Sequence, residues 1–429
     1  MRRRTSRTLA ALACVACAAP PAHAGGFAIP EQGARALGLG GAYVAQSDDA
    51  TAVFHNAAGI GFLKGRQLSL GASLIYRSTD FEGASPFPGN ALRETSAHGL
   101  GLPPAFDYAQ RLTPKLVAGI GLHVPFELRS GWANRETSYS GRFLVKSAGI
   151  RSTSLNPTLA YQLADRLAVG AGLDVRLTHF DFEHNVPLIN PFTQRVQDVA
   201  ALDVRGGRHL SLGYNVGVLA KPAEGLAIGV AYRSGVRAEL TGDAELSRLP
   251  TGSPQFDALV ARRYSQDTLA ASTSLALPAL VSVGAQYGWR DWLVSSQLDL
   301  QLWSSFESLP LLLDGPPELS RTQRLEFANS QVYRVGVERR LTDALTLRGG
   351  YFLDRTPVPT ETLGPLFPEA TRHCASVGAS WRRGRMRIEA ANAMGFSKRR
   401  SSEGRNRDGY DGSYGGFSDT FSVSLGWWF

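Results

Sequence analysis

Residues 47 to 59 bring two adjacent carboxylates, an imidazole and a carboxamide into one short stretch: Asp48, Asp49, His55 and Asn56. Paired carboxylates beside a histidine suit general acid–base work in a cleft, or the beginning of a metal site. Neither reading gathers enough partners. A metal needs more ligands than this stretch offers, and His98, His179, His184, His209 and His373 are scattered along the chain. No Gly-x-Ser-x-Gly nucleophile elbow occurs, so a lipase constellation has no anchor. A plainer account is local. Ser47 is a good N-cap, Asp48 and Asp49 would occupy a first turn where the helix dipole favours negative charge, and Gly59 suits a left-handed stop. Ala50, Val53, Phe54 and Ala57 then share one face of a short helix. We expect structural capping, no enzyme, no metal and no cofactor.

So short a helix is not stable alone and must dock on something. The rest of the chain says what. Arg2, Arg3, Arg4 and Arg7 precede an apolar run from Leu9 to Ala19 that ends in Ala22-His23-Ala24, so residues 1–24 read as a secretory signal. Cys14 and Cys17 fall within it and leave a lone Cys374, which excludes an internal disulfide framework. Removing those four arginines from 45 basic residues leaves 41 against 37 acidic ones, too even a balance to suggest nucleic acid. Beyond the signal no apolar stretch is long enough for a transmembrane helix, so any crossing of a membrane must be made by strands.

Strands are what the chain contains. Short turns at 111–116, 162–167, 221–226, 288–293, 340–345 and 381–386 alternate with longer polar segments at 78–100, 126–149, 184–204, 242–266, 307–325, 356–370 and 399–416. Strict alternation places every tight turn at one end of an antiparallel set. The intervals give fourteen strands, near 67–77, 101–112, 115–125, 150–163, 166–183, 205–220, 225–241, 267–288, 291–306, 326–341, 344–355, 371–383, 385–398 and 417–429. Pro278 is expected to kink one long strand rather than split it, because a split would make the count odd. Leu226, Ile228, Val230 and Tyr232 alternate with Ala227, Gly229, Ala231 and Arg233, and Leu298, Leu300 and Leu302 alternate with Gln297, Asp299 and Gln301. The strands run longer than those of a soluble sandwich and suit a tilted bilayer crossing. The fold expected is all-β, a fourteen-stranded antiparallel transmembrane barrel, with Tyr76, Tyr351, Trp292, Trp303, Trp427 and Phe429 in its aromatic girdles.

Residues 25–66 do not alternate, and residues 67–429 form the barrel. Eight strands just fill their own lumen, so fourteen leave room. The leading segment is therefore expected inside as a hatch, with Phe27, Ile29, Leu37, Leu39, Phe54 and Ile60 making an apolar surface against an otherwise polar inner wall.

The run ALGLGGAYVAQSDDATAVFHNAAGIGFLKG resembles the N-terminal hatch signature of the FadL/TodX family of outer-membrane transporters for long-chain fatty acids and other hydrophobic compounds. The resemblance rests on Gly38, Gly40 and Gly41 with Leu39, Ala42 and Tyr43, then on Asp48-Asp49-Ala50 and Asn56-Ala57-Ala58-Gly59. The strand count, the segment NPTLAYQLADRLAVGAGL and the C-terminal Phe agree with it. The family usually has Asn-Pro-Ala where this chain has Ala57 in place of the proline. Hatch residues are thus expected at Gly38, Gly40, Gly41, Asp48, Asp49, Phe54, Asn56 and Gly59.

The resemblance implies passive uptake across the outer membrane of a Gram-negative bacterium. Ligand would be caught by outer loops, pass to a pocket near the hatch and leave sideways beside a kinked third strand. In KLVAGIGLHVPFEL, Gly119, Gly121 and Pro125 are the expected gate. Apolar capture is expected at Leu188, Phe192, Leu249 and Phe256, and pocket contacts at Phe27 and Ile29. Arg176, Arg233, Arg334 and Arg348 fall on the inward parity and could meet an acidic head group. The partners implied are a hydrophobic small molecule, outer-membrane lipid and lipopolysaccharide, and the barrel-assembly machinery through Phe429, with the protein a monomer. Aromatic hydrocarbons are the alternative ligand. A polar-solute porin fits less well, since a porin keeps its lumen open, and a 22-stranded energised receptor needs a longer chain.

Overall fold

The computed structural model describes residues 26–96, 99–132 and 139–429. The expected signal segment and His98 lie outside the described residues. Fourteen antiparallel strands close into a barrel. They are β1 (Arg66–Gly83), β2 (Arg93–Thr95, Gly99–Gly101 and Pro104–Arg111), β3 (Leu116–Gly131), β4 (Ser147–Ala164), β5 (Leu167–Ile189), β6 (Val196–Ala223) and β7 (Leu226–Arg233 and Val236–Arg248). There follow β8 (Thr268–Leu277 and Leu280–Trp289), β9 (Trp292–Gln301 and Ser308–Leu313), β10 (Arg321–Arg324 and Ser330–Arg340), β11 (Leu345–Asp354), β12 (Arg372–Arg383), β13 (Met386–Ser401) and β14 (Gly412–Trp428). Closure is made by β1 on β14, paired from Gln67 against Trp428 to Gly83 against Gly412. No edge is left there to face lipid.

Alternation does the sorting. On β5, Asp174, Arg176 and Thr178 are buried while Leu173 and Leu177 are exposed. Leu210, Leu212 and Val377 are 60%, 71% and 65% exposed, an arrangement that is stable only with hydrocarbon outside. At the short-turn end, Gly225 (φ 74°) and Gly384 (φ 59°) adopt the left-handed backbone that tight reversals need.

Pro278 interrupts β8 without adding a barrel strand, which keeps the expected count, and β7 is interrupted beside it, which was not expected. Val236 pairs with Leu277 and Arg233 with Leu280, so register survives the interruption. The inward face does not. Below the break Ala227 and Arg233 are buried; above it Val236, Ala238 and Leu240 are. The expectation of a uniformly polar inner wall is therefore wrong in its outer half, where Phe180, Phe182, Leu202, Val204, Leu240 and Leu275 belong to one large apolar core. Two further expectations change. The segment 184–204 is mostly strand, since β5 runs to Ile189 and β6 resumes at Val196. Trp303 is no girdle residue: it is fully buried in that same core.

Candidate transport site: hatch, lumen and wall seam

The acidic pair is not primarily a helix cap. The helices here are α1 (Ala34–Gly38) and α2 (Ala52–His55), followed by a 3-10 turn over Ala57–Phe62. Ser47 has left-handed backbone (φ 27°) and the α2 cap position is Thr51. One oxygen of Asp49 does make a local turn, accepting from Thr51 N at 3.1 Å and Thr51 Oγ1 at 2.5 Å. The other reaches Arg387 on β13 and Arg35 at 3.2 Å. Asp48 pairs with Arg35, which also approaches Glu338 of β10 at 3.6 Å. Glu338 takes Arg348 at 2.7 Å, and Glu389 takes Arg387 at 3.1 Å. The ion pairs thus lock the hatch to β10 and β13, with Arg348 of β11 bracing the wall carboxylate Glu338. Burial alone would raise the Asp49 carboxyl; the Arg387 and Arg35 guanidiniums outweigh it and hold it well below the usual carboxylate range.

Glycine explains how closely the hatch lies on the wall. A Cβ on Gly350 of β11 would overlap Gly40 N, one on Gly336 of β10 would sit 2.6 Å from Leu39 O, and one on Gly378 of β12 would sit 3.1 Å from Gly38 Cα. Gly40 (φ 62°) and Gly41 (φ 76°) supply the matching left-handed turns, with Gly40 N donating to Ser376 Oγ at 3.0 Å. Gly59 is no helix stop; it lies inside the 3-10 turn, where a Cβ would overlap Ser47 O. Gly119 and Gly121 on β3 work the same way. Both sit in intact ladders with β2 and β4, and Cβ atoms there would lie 2.7 and 3.0 Å from Val53.

Asn56 ties the hatch to itself and to β6. Its carboxamide donates to Val44 O at 2.9 Å and Val218 O at 3.1 Å, and accepts from Ala58 N at 3.1 Å. Its extended backbone (φ −158°, ψ 103°) is the geometry a proline at position 57 would demand, so Ala57 keeps the shape without the ring. Phe54 lies under Arg233, whose guanidinium is 4.6 Å from the ring centroid and donates to Phe54 O at 3.0 Å. His55 Nε2 donates to Gln32 O at 2.9 Å, and burial lowers its pKa to about 4, leaving it neutral. Among the described residues no group of three or more His, Cys, Asp or Glu is placed to hold a metal.

The four inward arginines all have carboxylate partners. Arg176 and Arg233 share Asp174 at 2.7 Å each, Arg334 takes Asp299 and Glu31 at 2.6 Å each, and Arg348 takes Glu338. Phe27 stands at the centre of an aromatic cluster, edge-on to Trp303 (4.9 Å), Phe306 (5.9 Å) and Phe126 (6.0 Å) and stacked on Phe367 (5.9 Å). Sequence reasoning places Trp303 in a girdle and misses Phe126, Phe306, Phe367, Arg35 and Arg387. Ile29 lines a cavity of about 50 Å³, room for a few waters only. Of the expected capture residues, Phe256 is buried on a loop helix, α3 (Pro254–Arg263), and Leu188 packs partly buried on the outer core. Leu249 is half-buried, its N donating to Val199 O at 2.8 Å. Phe192 is 62% exposed at the tip between β5 and β6, flanked by Ile189 and Val196, also exposed.

A seam runs beside β3. The β2–β3 ladder extends from Arg111 against Val117 to Phe106 against Leu122, and among the described residues the two strands next meet at the single bridge of Ser96 with Trp132. In between, residues 123–128 are buried, and the hatch takes over their backbone groups: Ile29 N donates to Pro125 O at 2.8 Å, and Glu127 N to Phe27 O at 3.1 Å. Gln32 Nε2 donates to Val124 O at 3.0 Å. Of the expected gate residues, Pro125 lies in this stretch unpaired from β2, at the bulge between His123 and Phe126 in the ladder with β4, whereas Gly119 and Gly121 do not.

A lipid-facing barrel whose bore is stopped by its own N-terminal segment is an outer-membrane protein of the plugged transport class. Residues 15–424 match the family described as outer membrane protein transport protein (OMPP1/FadL/TodX), and the chain belongs to it. It is 24% identical over 408 residues to a long-chain fatty acid transport protein of Salmonella typhi, with 89% of each chain covered. It is 26% identical over 400 residues to a 47 kDa outer membrane protein of Pasteurella multocida (strain Pm70), with 88% of each covered. A solved FadL homologue of Pseudomonas aeruginosa has the same fold, with a TM-score of 0.82 at 22% identity over 94% of this chain and 99% of that one. So does the toluene transporter TbuX of Ralstonia pickettii, at TM-score 0.68 and 17% identity over 92% and 98%. The protein is thus a bacterial outer-membrane barrel of a family that transports hydrophobic compounds, and not an enzyme.

Proposed function

We propose that this protein carries long-chain fatty acids passively across the outer membrane. Ligand is captured on the apolar tip formed by Ile189, Phe192 and Val196, moves down the apolar outer lumen, and displaces Phe27 and Ile29 from their seats. It then leaves sideways between β2 and β3. An apolar chain gains little from a watery channel, and a lipid-facing exit keeps it out of water. One observation carries the reading: the segment that occupies the aromatic cluster through Phe27 is the same one that pairs with β3 where β3 has left β2. Moving Phe27 therefore unpairs the seam. The small cavities fit a closed resting state in which the hatch fills the ligand's place.

The similarity to the long-chain fatty acid transport protein of Salmonella typhi favours fatty acids. The ring cluster around Phe27 favours aromatic hydrocarbons as the second reading. The test is uptake of labelled hexadecanoate and toluene by cells that lack their own long-chain fatty-acid uptake, with and without the protein. Hexadecanoate accumulation well above the empty-vector level supports the first reading, toluene alone the second, and ion conductance without either would point to a porin.

A further inference from the structure

The lipid-facing rows of three strands end in an arginine at the short-turn rim. On β1 the row runs Leu70, Leu68, Arg66; on β10 it runs Val335, Val337, Arg339; on β12 it runs Val377, Ala379, Trp381, Arg383. All three arginines are exposed, as is Arg385 in the turn that follows β12. Among the described residues none of the four has a carboxylate within 4.0 Å. The turns at this part of the rim, 340–345 and 381–386, hold one acid, Asp343. Elsewhere the rim is balanced, with Asp165 beside Arg166 between β4 and β5, and Lys221 with Glu224 between β6 and β7. The unneutralised charge is thus one-sided.

The neighbouring rings show what lies against these cations. Trp292, Trp381 and Trp427 are exposed on the same outer face, and the Arg339 guanidinium lies 4.7 Å from the Trp292 ring centroid. Aromatic side chains in this position mark the level of the lipid head groups, where arginine lays its aliphatic stem on hydrocarbon and its guanidinium among the phosphates. Short turns face the periplasm, so the leaflet at this level is the phospholipid one. Arg66, Arg339 and Arg383 face sideways toward lipid rather than down into the periplasm, which favours a lipid over a soluble acidic protein. We propose that this arc of the rim from β10 round to β1, led by Arg339 and Arg383, binds phospholipids whose head groups carry net negative charge, such as phosphatidylglycerol. A guanidinium holds a phosphodiester through paired hydrogen bonds, and a head group without an ammonium adds no repulsion to cations that have no acid of their own. The barrel therefore carries a shell of anionic lipid on one side, whatever crosses its lumen.

The test is native mass spectrometry of the detergent-solubilised protein titrated with equal amounts of phosphatidylglycerol and phosphatidylethanolamine of the same acyl chains. The wild type should retain phosphatidylglycerol over phosphatidylethanolamine by about fivefold or more, and the double variant Arg339→Gln, Arg383→Gln should retain the two about equally. The double variant Lys115→Gln, Arg166→Gln removes the same charge elsewhere on the rim and should keep the wild-type ratio. No preference in the wild type, an unchanged ratio in the arginine pair, or an equal fall in the Lys115 and Arg166 pair overturns the inference. Spin-labelled lipids beside the wild type in phosphatidylcholine vesicles cover a variant that fails to assemble. There phosphatidylglycerol should be immobilised at the barrel more than phosphatidylethanolamine, and soluble polyglutamate should not release it. Equal immobilisation overturns the inference, as does release by polyglutamate, which would assign the arc to a soluble acidic partner.

Discussion

The two halves of the lumen hold the same hatch by different physics. Toward the short turns the hatch backbone lies on wall glycines and is locked by ion pairs, with Asp48, Asp49 and Arg35 against Glu338 and Arg387. Toward the outer loops the grip is apolar, with Phe27 among Trp303, Phe306, Phe367 and Phe126. Ion pairs that are buried and geometrically matched cannot be replaced by an oily ligand. A ring cluster can, because a hydrophobic ligand offers the displaced surfaces an equivalent apolar partner. The difference assigns anchoring to one half and ligand response to the other.

Breaking the anchored half should have the largest effect. Asp49→Ala leaves Arg387 and Arg35 short of a buried counter-charge and is expected to weaken hatch docking by about 3–5 kcal/mol. Limited proteolysis should then cut within residues 33–62 and bilayer conductance should rise, while gel mobility shows an intact barrel; an unaltered protease pattern would count against the anchor. Phe27→Ala should cost about 3 kcal/mol, and its damage should stay local. Cleavage is expected only before Gly33, with the ion-paired part still protected. Spread of cleavage through the acidic pair would mean that the two halves are one unit.

A smaller effect should come from pH. The Asp49 contribution, from a depressed pKa, is present above the ordinary carboxylate range and is lost only in strong acid, so it does not vary between about pH 5 and 8. His55 behaves oppositely. Its pKa is lowered from 6.5 to about 4 in the docked hatch, so between those values the undocked imidazole takes a proton that the docked one refuses. Docking should weaken as pH falls through that window. Single-channel opening is expected to be more frequent at about pH 4.5 than at about pH 7.5, and His55→Gln should remove the difference. The smallest change should be favourable: Ala57→Pro, at the first position of the 3-10 turn, should raise hatch stability by about 0.4–1 kcal/mol in protease protection.

Much of this was legible in sequence, and the failures are instructive. Alternation over long segments and the rhythm of short turns gave the strand number, since both depend only on local parity. The acidic pair looks like a cap because a cap's signal is local, while Asp49's partner Arg387 lies 338 residues away. Gly119 and Gly121 suggest a weak wall, yet a glycine that receives another segment's side chain looks the same in sequence as one that merely loosens a ladder. The apolar outer lumen stayed hidden because the breaks at Ser234–Gly235 and Pro278–Ala279 reverse the inward face, so parity carried across them assigns the wrong side. Pro125 lacks a donor and lies where β3 has left β2, but it is the family resemblance, not the proline alone, that singles out the third strand.

The central claim is that the N-terminal segment must leave β3 before ligand can pass. Ala28 and Phe126 form an antiparallel bridge across that contact, close enough for a disulfide in an Ala28→Cys, Phe126→Cys double variant. With the bond formed, hexadecanoate uptake should fall to the empty-vector level, and reductant should restore it. Uptake that continues at the wild-type rate with the bond verified by mass spectrometry would contradict the account.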